Sequence, residues 1–407
     1  MTAVTDVDVA DPTLHRDGAL PPVWRWMRRH DPVRWTVRPN QDSYWSVTTH
    51  AEAVRVLRDS RTFSSERGIR LGADPVAAAA ASRRMLIVTD PPRHADLRRI
   101  IASAFTARTV RRLEQNMRET VTASLDHAFE RGAGDFVEVA GRLPVSVICD
   151  LLGVPREDWD FLLGRTTVAF GAVDEHGSPT AEAVEAHADI LLYHLELARQ
   201  RRRDPREDVV TALVQGEVDG RPLTDEEILL NCDGLISGGN ETTRHAAVGG
   251  LLALAADPGQ WRALRANPDL LPTAVDEILR WTTPGAHTLR TAVGDTELAG
   301  RAIEAGQQVV VWGGSVNRDE AVFDQPDEFR LDRKPNRHLT FSHGAHYCLG
   351  SALATSELRV LFGELARRVA GIEVAGPVER VRSNHINGFD RAVVKLHPVT
   401  AGGGRHG

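Results

Sequence analysis

Residues 341–350 read Phe-Ser-His-Gly-Ala-His-Tyr-Cys-Leu-Gly, and they lead directly into an apolar pattern with helical spacing. Cys348 is therefore expected at the N-terminus of a helix, where backbone N–H groups and the helix dipole stabilise an anion and lower the pKa of a thiol. Gly344 permits a backbone with positive φ, or the close approach of a flat ligand. The stretch predicts a thiolate that acts either as a nucleophile or as a metal ligand.

A second unusual stretch lies inside the longest helical pattern of the chain. A capping box begins this helix at Thr224, and Asp257-Pro258 ends it. Its centre contains Gly-Gly-Asn-Glu-Thr-Thr at residues 238–243, although each glycine costs about 1 kcal/mol in a helix interior. Small residues allow a flat cofactor to approach and the helix to open locally, so that a hydroxyl or water can insert.

Two further pairs of charged residues have helical spacing. His94 and Arg98 follow a double proline and lie four residues apart, which places two cationic donors on one helix face. Such a face suits carboxylates, although a solvated basic surface is the ordinary interpretation of the same pair. Glu277 and Arg280, three residues apart on a helix, are on their spacing alone an ordinary surface ion pair.

Composition limits the possible classes of protein. The chain has 407 residues, of which 42% are hydrophobic and 26% charged, as in globular proteins. We predict one domain at 19–400 between disordered tails at 1–18 and 401–407. The net charge of −7 argues against a nucleic-acid binder, and no apolar run predicts a membrane span or signal peptide. The expected location is the cytoplasm, and the three cysteines show neither a disulfide framework nor zinc spacing.

Together these stretches resemble the cytochrome P-450 superfamily. Residues 341–350 are similar to its haem-binding loop, with Ser342 where glycine is more common, and residues 238–243 are similar to its oxygen-activation motif. Glu277 and Arg280 match its Glu-x-x-Arg motif, whose third partner would be Arg330 or Arg333. The resemblance implies a mainly α fold, a triangular helical prism with small β-sheets at one edge.

The resemblance also implies the cofactor and its ligands. Haem b would be bound with Cys348 as the axial thiolate, and Glu241 and Thr242 would form the acid and alcohol pair that delivers protons to bound O2. The haem propionates would be held by four side chains, namely His94, Arg98, Arg290 and His346. By the same resemblance, residues 63–86, the residues before Arg290 and residues 384–390 surround the substrate. His287 would contact a polar substrate or face solvent.

The implied activity is hydroxylation or epoxidation of a small molecule by a bacterial monooxygenase, as a tailoring step in secondary-metabolite biosynthesis. The substrate would be free or bound to a carrier protein. No flavin, nicotinamide or iron–sulfur segment is recognisable, so electrons from NAD(P)H are expected through a ferredoxin and its reductase. The ferredoxin would bind a basic surface on a monomer of this chain, formed by Arg98, Arg99, Arg108, Arg111 and Arg112.

Three alternatives are weighed against this interpretation. A peroxide-driven haem-thiolate enzyme would not need Glu241 and Thr242, so their presence argues against it. The same oxidant could instead serve oxidative coupling or desaturation, which the sequence does not separate from hydroxylation. A haem-binding sensor without turnover would keep Cys348 but would have no use for the acid and alcohol.

Overall fold

The computed structural model describes residues 7–39, 41–171 and 180–399. The helices are α1 Pro12–Arg16, α2 Leu20–His30, α3 His50–Arg58, α4 Pro75–Ala81, α5 Arg93–Ala102, α6 Ala107–Arg131, α7 Phe136–Leu152, α8 Trp159–Gly171, α9 Ala181–Arg203, α10 Val209–Val214, α11 Asp225–Ala256, α12 Pro258–Ala266, α13 Leu271–Thr282, α14 Gly313–Val316 and α15 Ser351–Arg368. The strands are β1 Val33–Thr36, β2 Tyr44–Val47, β3 Phe63–Ser64, β4 Ala133–Asp135, β5 Glu217–Val218, β6 Arg221–Pro222, β7 His287–Ala292, β8 Thr296–Leu298, β9 Arg301–Ile303, β10 Gln308–Trp312, β11 Val369–Arg380 and β12 Phe389–Pro398. The predicted mainly α architecture with small sheets is confirmed.

Helix α11 is the element around which the other helices pack. Its 32 residues extend about 48 Å at about 1.5 Å per residue. Thr224 and Glu227 form the predicted capping box, and the helix ends at Ala256, as expected. Helices α7, α9, α13 and α15 pack against it, and its buried side chains belong to the largest apolar cluster. Among the described helices, none is both long and apolar enough to cross a membrane.

The larger sheet positions the segment that follows α13. Its strand order is β1-β2-β10-β7-β3, in which β2 and β10 run parallel and the other neighbours are antiparallel. The β11-β12 hairpin pairs with β4 in a second sheet. The turn of this hairpin returns to the first sheet, because the Ala286 N–H donates to His385 O at 2.8 Å. The two sheets thus bring residues 284–290 and 384–390 together.

The expectation of a disordered tail at residues 1–18 is wrong for residues 7–18. Val9 and Ala10 are fully buried and pack with the sheet, and α1 follows them. The Tyr44 hydroxyl donates to Asp8 at 2.7 Å, and the Asn384 amide donates to Ala10 O at 2.9 Å. The segment is too short to show a periodic pattern, so its apolar residues gave no signal. Residues 1–6 and 401–407, the rest of the predicted tails, lie outside the described residues.

The predicted single domain stays a proposal, and the extent of the apolar core supports it. The largest cluster of buried side chains runs from Leu97 to Leu396 and includes residues of the long helices and of the β11-β12 hairpin. Two smaller clusters lie on the five-stranded sheet. We propose that residues 19–400 fold as one unit.

A buried ion network connects α13 to the segment before the loop at 341–350. Glu277 and Arg280 are fully buried and form two hydrogen bonds of 2.7 Å. Arg333 is the third partner, with Nε at 3.0 and 3.1 Å from the two carboxylate oxygens of Glu277. Arg330 contributes only its backbone N–H, while its side chain lies near Asp324 and Asp332. The sequence left Arg330 and Arg333 open as the third partner of this pair, and the structure identifies Arg333.

We predict that Arg333→Ala destabilises the fold by about 3 kcal/mol, because it removes a cation from a buried carboxylate. It also removes the hydrogen bonds of this guanidinium to three backbone carbonyls, of which Asp324 O has no other donor among the described residues. Arg330→Ala is the matched control: it keeps the backbone N–H and removes only partly exposed ion pairs, so we expect a loss below about 0.5 kcal/mol. Denaturant unfolding followed by circular dichroism measures both, and equal losses would contradict this role of Arg333.

Candidate functional site

The loop at 341–350 is held against the end of α3. Gly344 has φ +72°, and a Cβ at this position would lie 2.8 Å from Arg58 Cα and from Leu57 O. Only glycine satisfies both constraints, as the sequence indicated. The Cys348 N–H donates to Phe341 O at 2.8 Å, which closes the loop on itself. The backbone around Cys348 is therefore fixed by contacts within the protein itself.

The environment of Cys348 differs from the expectation in one respect. Helix α15 begins at Ser351 with Gly350 as its N-cap, so the cysteine lies two residues before the cap. Burial raises the pKa of the Cys348 thiol, while the Gly350 N–H and Arg98 act in the opposite direction. The expectation that the helix terminus lowers this pKa is wrong for the protein alone, because desolvation dominates. A metal cation bound at the sulfur would favour the thiolate form.

The four predicted propionate ligands lie within electrostatic reach of one another. The rings of His94 on α5 and His346 in the loop have centroids 4.4 Å apart. Burial lowers the pKa of His94 to about 4, and His346, Arg98 and Arg290 are among the nearby charges that contribute. The structure thus brings together residues that are up to about 250 positions apart in the sequence.

Asp90 lies beside His346, one of the four predicted propionate ligands. Ser64 and Ser65 donate to its carboxylate at 2.5 and 2.7 Å, and His346 Nε2 lies 3.7 Å away. Although burial opposes it, these hydrogen bonds lower the pKa of Asp90. Asp90 preceded the double proline in the sequence, but nothing in that pattern indicated a contact with His346.

Two of the four predicted propionate ligands, Arg98 and Arg290, have a guanidinium without a carboxylate partner among the described residues. Arg290 is 2% exposed and donates only to the adjacent Leu289 O, at 2.8 Å. Burial lowers its pKa to about 10, with Asp90 opposing the shift. Arg98 has no side-chain hydrogen bond or ion pair in the described part of the chain, and it lines a cavity of about 350 Å³. A buried cation requires an anionic partner, so this donor set fits a ligand with two carboxylates, as haem has.

Helix α11 presents an open face to the interior. Gly238 is exposed in the middle of this central helix, and nothing lies within 4 Å of a Cβ built there. Thr242, one turn later, is partly exposed on the same side, and its hydroxyl donates to Gly238 O at 2.9 Å. A flat group could approach the helix along this face. The expected local opening of the helix is not present, since α11 is continuous from Asp225 to Ala256.

Glu241 points to a different environment from that of Thr242. Its Oε2 accepts hydrogen bonds from Arg244 at 2.5 Å and from His245 at 3.2 Å, and the residue is 9% exposed. Burial raises the pKa of Glu241, but hydrogen bonds and charges from His245 and Arg244 outweigh it, so the pKa is lowered. Its Oε1 is buried without a partner among the described residues. The carboxylate is therefore ionised, with one oxygen free to accept a proton.

His245 links this carboxylate to the β11-β12 hairpin. Its Nδ1 accepts from the Phe389 N–H at 3.2 Å, so Nε2 carries a proton and donates it in the hydrogen bond to Glu241. Gly388 is necessary here because a Cβ would lie 2.4 Å from His245 Cγ. The sequence interpretation missed Arg244 and His245, although their spacing of three and four residues from Glu241 could have indicated them.

His287 is neither solvent-facing nor free for a substrate. It is 3% exposed, its Nδ1 donates to Asn384 O at 2.7 Å, and its Nε2 accepts from the Leu71 N–H at 2.9 Å. Both ring nitrogens thus connect segments of the protein. The two roles considered for His287 are wrong, because the side chain faces the protein interior between residues 71 and 384.

Comparison with known proteins places the chain in one family. The family model described as cytochrome P450 matches residues 169–369. The chain is 40% identical over 392 residues to the cytochrome P450 NovI of Streptomyces niveus, with 96% of each chain covered. It is 35% identical over 401 residues to a steroid C26-monooxygenase of Mycolicibacterium smegmatis, covering 95% of this chain and 92% of that relative.

Solved structures agree with the sequence comparison. The crystal structure of P450 OxyD, which is involved in the biosynthesis of vancomycin-type antibiotics, matches with a TM-score of 0.87 and 36% identity. The match covers 97% of this chain and 100% of that one. The predicted fold class, a mainly α prism with small sheets at one edge, is thereby confirmed. The chain belongs to the cytochrome P450 family of haem monooxygenases.

Proposed function

We propose that Cys348 ligates the haem iron and that His94, Arg98, Arg290 and His346 bind the haem propionates. The observation that carries this assignment is the pair of guanidinium groups, at Arg98 and Arg290, that no described carboxylate neutralises. Arg98 also acts electrostatically on Cys348, which places the cysteine beside the same cationic group. A ligand that combines a metal ion with two carboxylates would satisfy all of these side chains together.

The bound haem supplies the activation of O2 and the oxidation of the substrate. The protein supplies the proton route and the dry surroundings. Thr242 presents its hydroxyl on the open face of α11, where it would donate a proton or a hydrogen bond into the haem pocket. Glu241, held by Arg244 and His245, is the proposed acid that helps to connect Thr242 to protons of the solvent. The other role considered for these residues, a structural kink without catalysis, stays an alternative.

The electron donor is proposed to be a ferredoxin with its reductase, fed by NAD(P)H. The proposed docking surface comprises Arg98 and Arg99 on α5 and three arginines on α6. Some of its charge is already compensated, since Arg99 pairs with Asp96, Arg108 with Glu207 and Arg112 with Asp150. Arg111 is exposed and takes part in no ion pair with a described residue, so it is the strongest candidate for an acidic partner.

For the substrate, we propose a secondary metabolite that is hydroxylated or epoxidised in a tailoring step. The relatives NovI and OxyD support this class, since the structure of OxyD is described as belonging to antibiotic biosynthesis. The relatives named steroid C26-monooxygenases favour a second candidate, a steroid or another terpenoid. Oxidative coupling and desaturation stay alternatives with the same oxidant. A cytoplasmic location, a monomer and a carrier-bound substrate stay predictions.

We predict that Glu241→Gln lowers the free energy of unfolding by about 1–2 kcal/mol at pH 7, because it weakens the charge-assisted hydrogen bonds from Arg244 and His245. The folded-state pKa of Glu241 lies below the ordinary value of 4.5, so ionisation stabilises the fold at neutral pH. This contribution is lost as the pH falls through the folded-state pKa, and the difference from wild type should shrink below about pH 4. Glu226→Gln, on an exposed turn of α11, is the control and should change little. A loss that does not depend on pH would contradict the ion pairing.

We predict that Thr242→Ala uncouples NAD(P)H consumption from oxidation of the substrate. The assay uses haem-loaded protein, a ferredoxin, its reductase and the tightest-binding member of a panel of macrolides, steroids, peptides and an aminoacyl carrier protein. NAD(P)H consumption should continue, while product per NAD(P)H falls about tenfold or more and hydrogen peroxide rises, because proton delivery is impaired.

The control for this experiment is Thr242→Ser, which keeps the hydroxyl and should retain most of the coupling. Equal loss in both variants would contradict a role for the hydroxyl. Consumption by the wild type that is unchanged when the ferredoxin is omitted would contradict the proposed electron route. No substrate-dependent consumption by any panel compound would favour the sensor.

A further inference from the structure

The segment before α4 is fixed on strand β7 by two backbone contacts. The Leu289 N–H donates to Ile69 O at 2.8 Å, and the Leu71 N–H donates to His287 Nε2 at 2.9 Å. Arg70 lies between these two contacts, so its backbone has little freedom. Leu71 is 4% exposed and packs into the apolar cluster on the sheet, whereas the Arg70 side chain is exposed.

The exposed side chain of Arg70 has no anionic partner in the part of the chain that the structure describes. Its side chain forms no hydrogen bond or ion pair with a described residue. Burial lowers its pKa, and no carboxylate opposes that shift. Neighbouring protein thus desolvates part of the Arg70 side chain, while its exposed part stays accessible to a ligand. An accessible guanidinium without a partner, on a backbone fixed at both sides, is available to bind an anionic group.

The groups nearest to this guanidinium do not neutralise it. His287 and His385 have ring centroids 5.2 Å apart, and both feel the charge of Arg70. Burial, followed by nearby positive charges, lowers the pKa of His385 well below its ordinary value, so the ring is neutral. Its Nδ1 is buried without a partner among the described residues. This group of Arg70, His287 and His385 therefore contains one fixed positive charge and no acid.

The haem propionates do not account for Arg70. The charges that act on His94, Arg290 and His346 come from one another and from Arg98 and Asp90, and Arg70 is not among them. Arg70 instead lies where three segments meet, residues 68–71, residues 284–287 and residues 384–386. The last two are joined by the Ala286 N–H to His385 O hydrogen bond and by the bridge between Gly285 and Ile386.

We propose that Arg70 is a recognition residue for an anionic oxygen group, a carboxylate or a phosphate, on the substrate. The inference rests on the proposed function, since it places the substrate between these three segments. A guanidinium binds such groups with two parallel hydrogen bonds, and the neutral His385 ring beside it adds no competing charge. A carboxylate would belong to the substrate itself, whereas a phosphate would belong to the phosphopantetheine arm of a carrier protein.

The test measures ligand binding to the haem-loaded protein. Binding is detected by calorimetry and by the haem absorption spectrum. The probes are pairs that differ only in charge. Three pairs compare a carboxylic acid with its amide: dodecanoic acid, cholenoic acid and N-acetyltyrosine. The fourth compares pantetheine phosphate with pantetheine. The variants are Arg70→Met, Arg70→Lys and, as a matched control in the same exposed segment, Arg67→Met.

We expect the wild type to bind the anionic member of at least one pair about tenfold or more tightly than the neutral member. Arg70→Met should abolish this preference, Arg70→Lys should keep part of it, and Arg67→Met should behave as wild type. A preference in the acid pairs identifies a substrate carboxylate, and a preference in the pantetheine pair identifies a carrier arm.

Absence of an anionic preference in every pair, or an equal preference in Arg70→Met, would overturn the proposal. A loss of this preference in Arg67→Met equal to that in Arg70→Met would also overturn it. The ferrous carbonyl spectrum of each preparation, recorded before ligand is added, reports thiolate ligation separately. A failure of the proposed haem-thiolate function is thus distinguishable from a failure of Arg70, because calorimetric binding does not depend on the iron ligand.

Discussion

The buried carboxylate of Glu277 is the interaction on which the position of the loop at 341–350, the proposed haem-binding loop, depends. It gathers the guanidinium groups of Arg280 and Arg333 and the backbone N–H of Arg330, all from segments that precede the loop. Arg280 also donates to three backbone carbonyls between residues 317 and 328. An irregular segment without helix or strand is thereby fixed to α13. The loop that carries Cys348 begins directly after it.

Helix α11 must satisfy two requirements that conflict locally. It is a tightly packed core helix, yet its face at Gly238 and Thr242 stays open, where the proposed haem would lie. Glycine satisfies the second requirement at a cost in helix propensity, and the packing on α7 and α13 compensates for it. On another side, Glu241 is fixed through His245 to the β11-β12 hairpin. The acid and the open face are thus held by different neighbours.

The features that the sequence predicted correctly are those with a short repeating or spaced pattern. The capping box at Thr224, the bounds of α11 and the positive φ at Gly344 depend on local chemistry that can be read from neighbouring residues. The features that it missed depend on contacts between distant segments. Residues 7–18 are ordered by Tyr44 and Asn384, His287 is fixed by Leu71 and Asn384, and desolvation reverses the expected pKa shift of Cys348. Spacing alone could not choose between Arg330 and Arg333, because burial decides that choice.

The most direct test of the account is the absorption spectrum of the reduced, carbon monoxide-bound protein, for wild type, Cys348→Ala and Cys232→Ala. Cys232 is fully buried on α11, and its loss controls for the removal of a cysteine. The account predicts a thiolate-type carbonyl spectrum for wild type and for Cys232→Ala, and its loss in Cys348→Ala. A wild-type protein that binds haem without this spectrum, or a Cys348→Ala variant that keeps it, would contradict the assignment of Cys348.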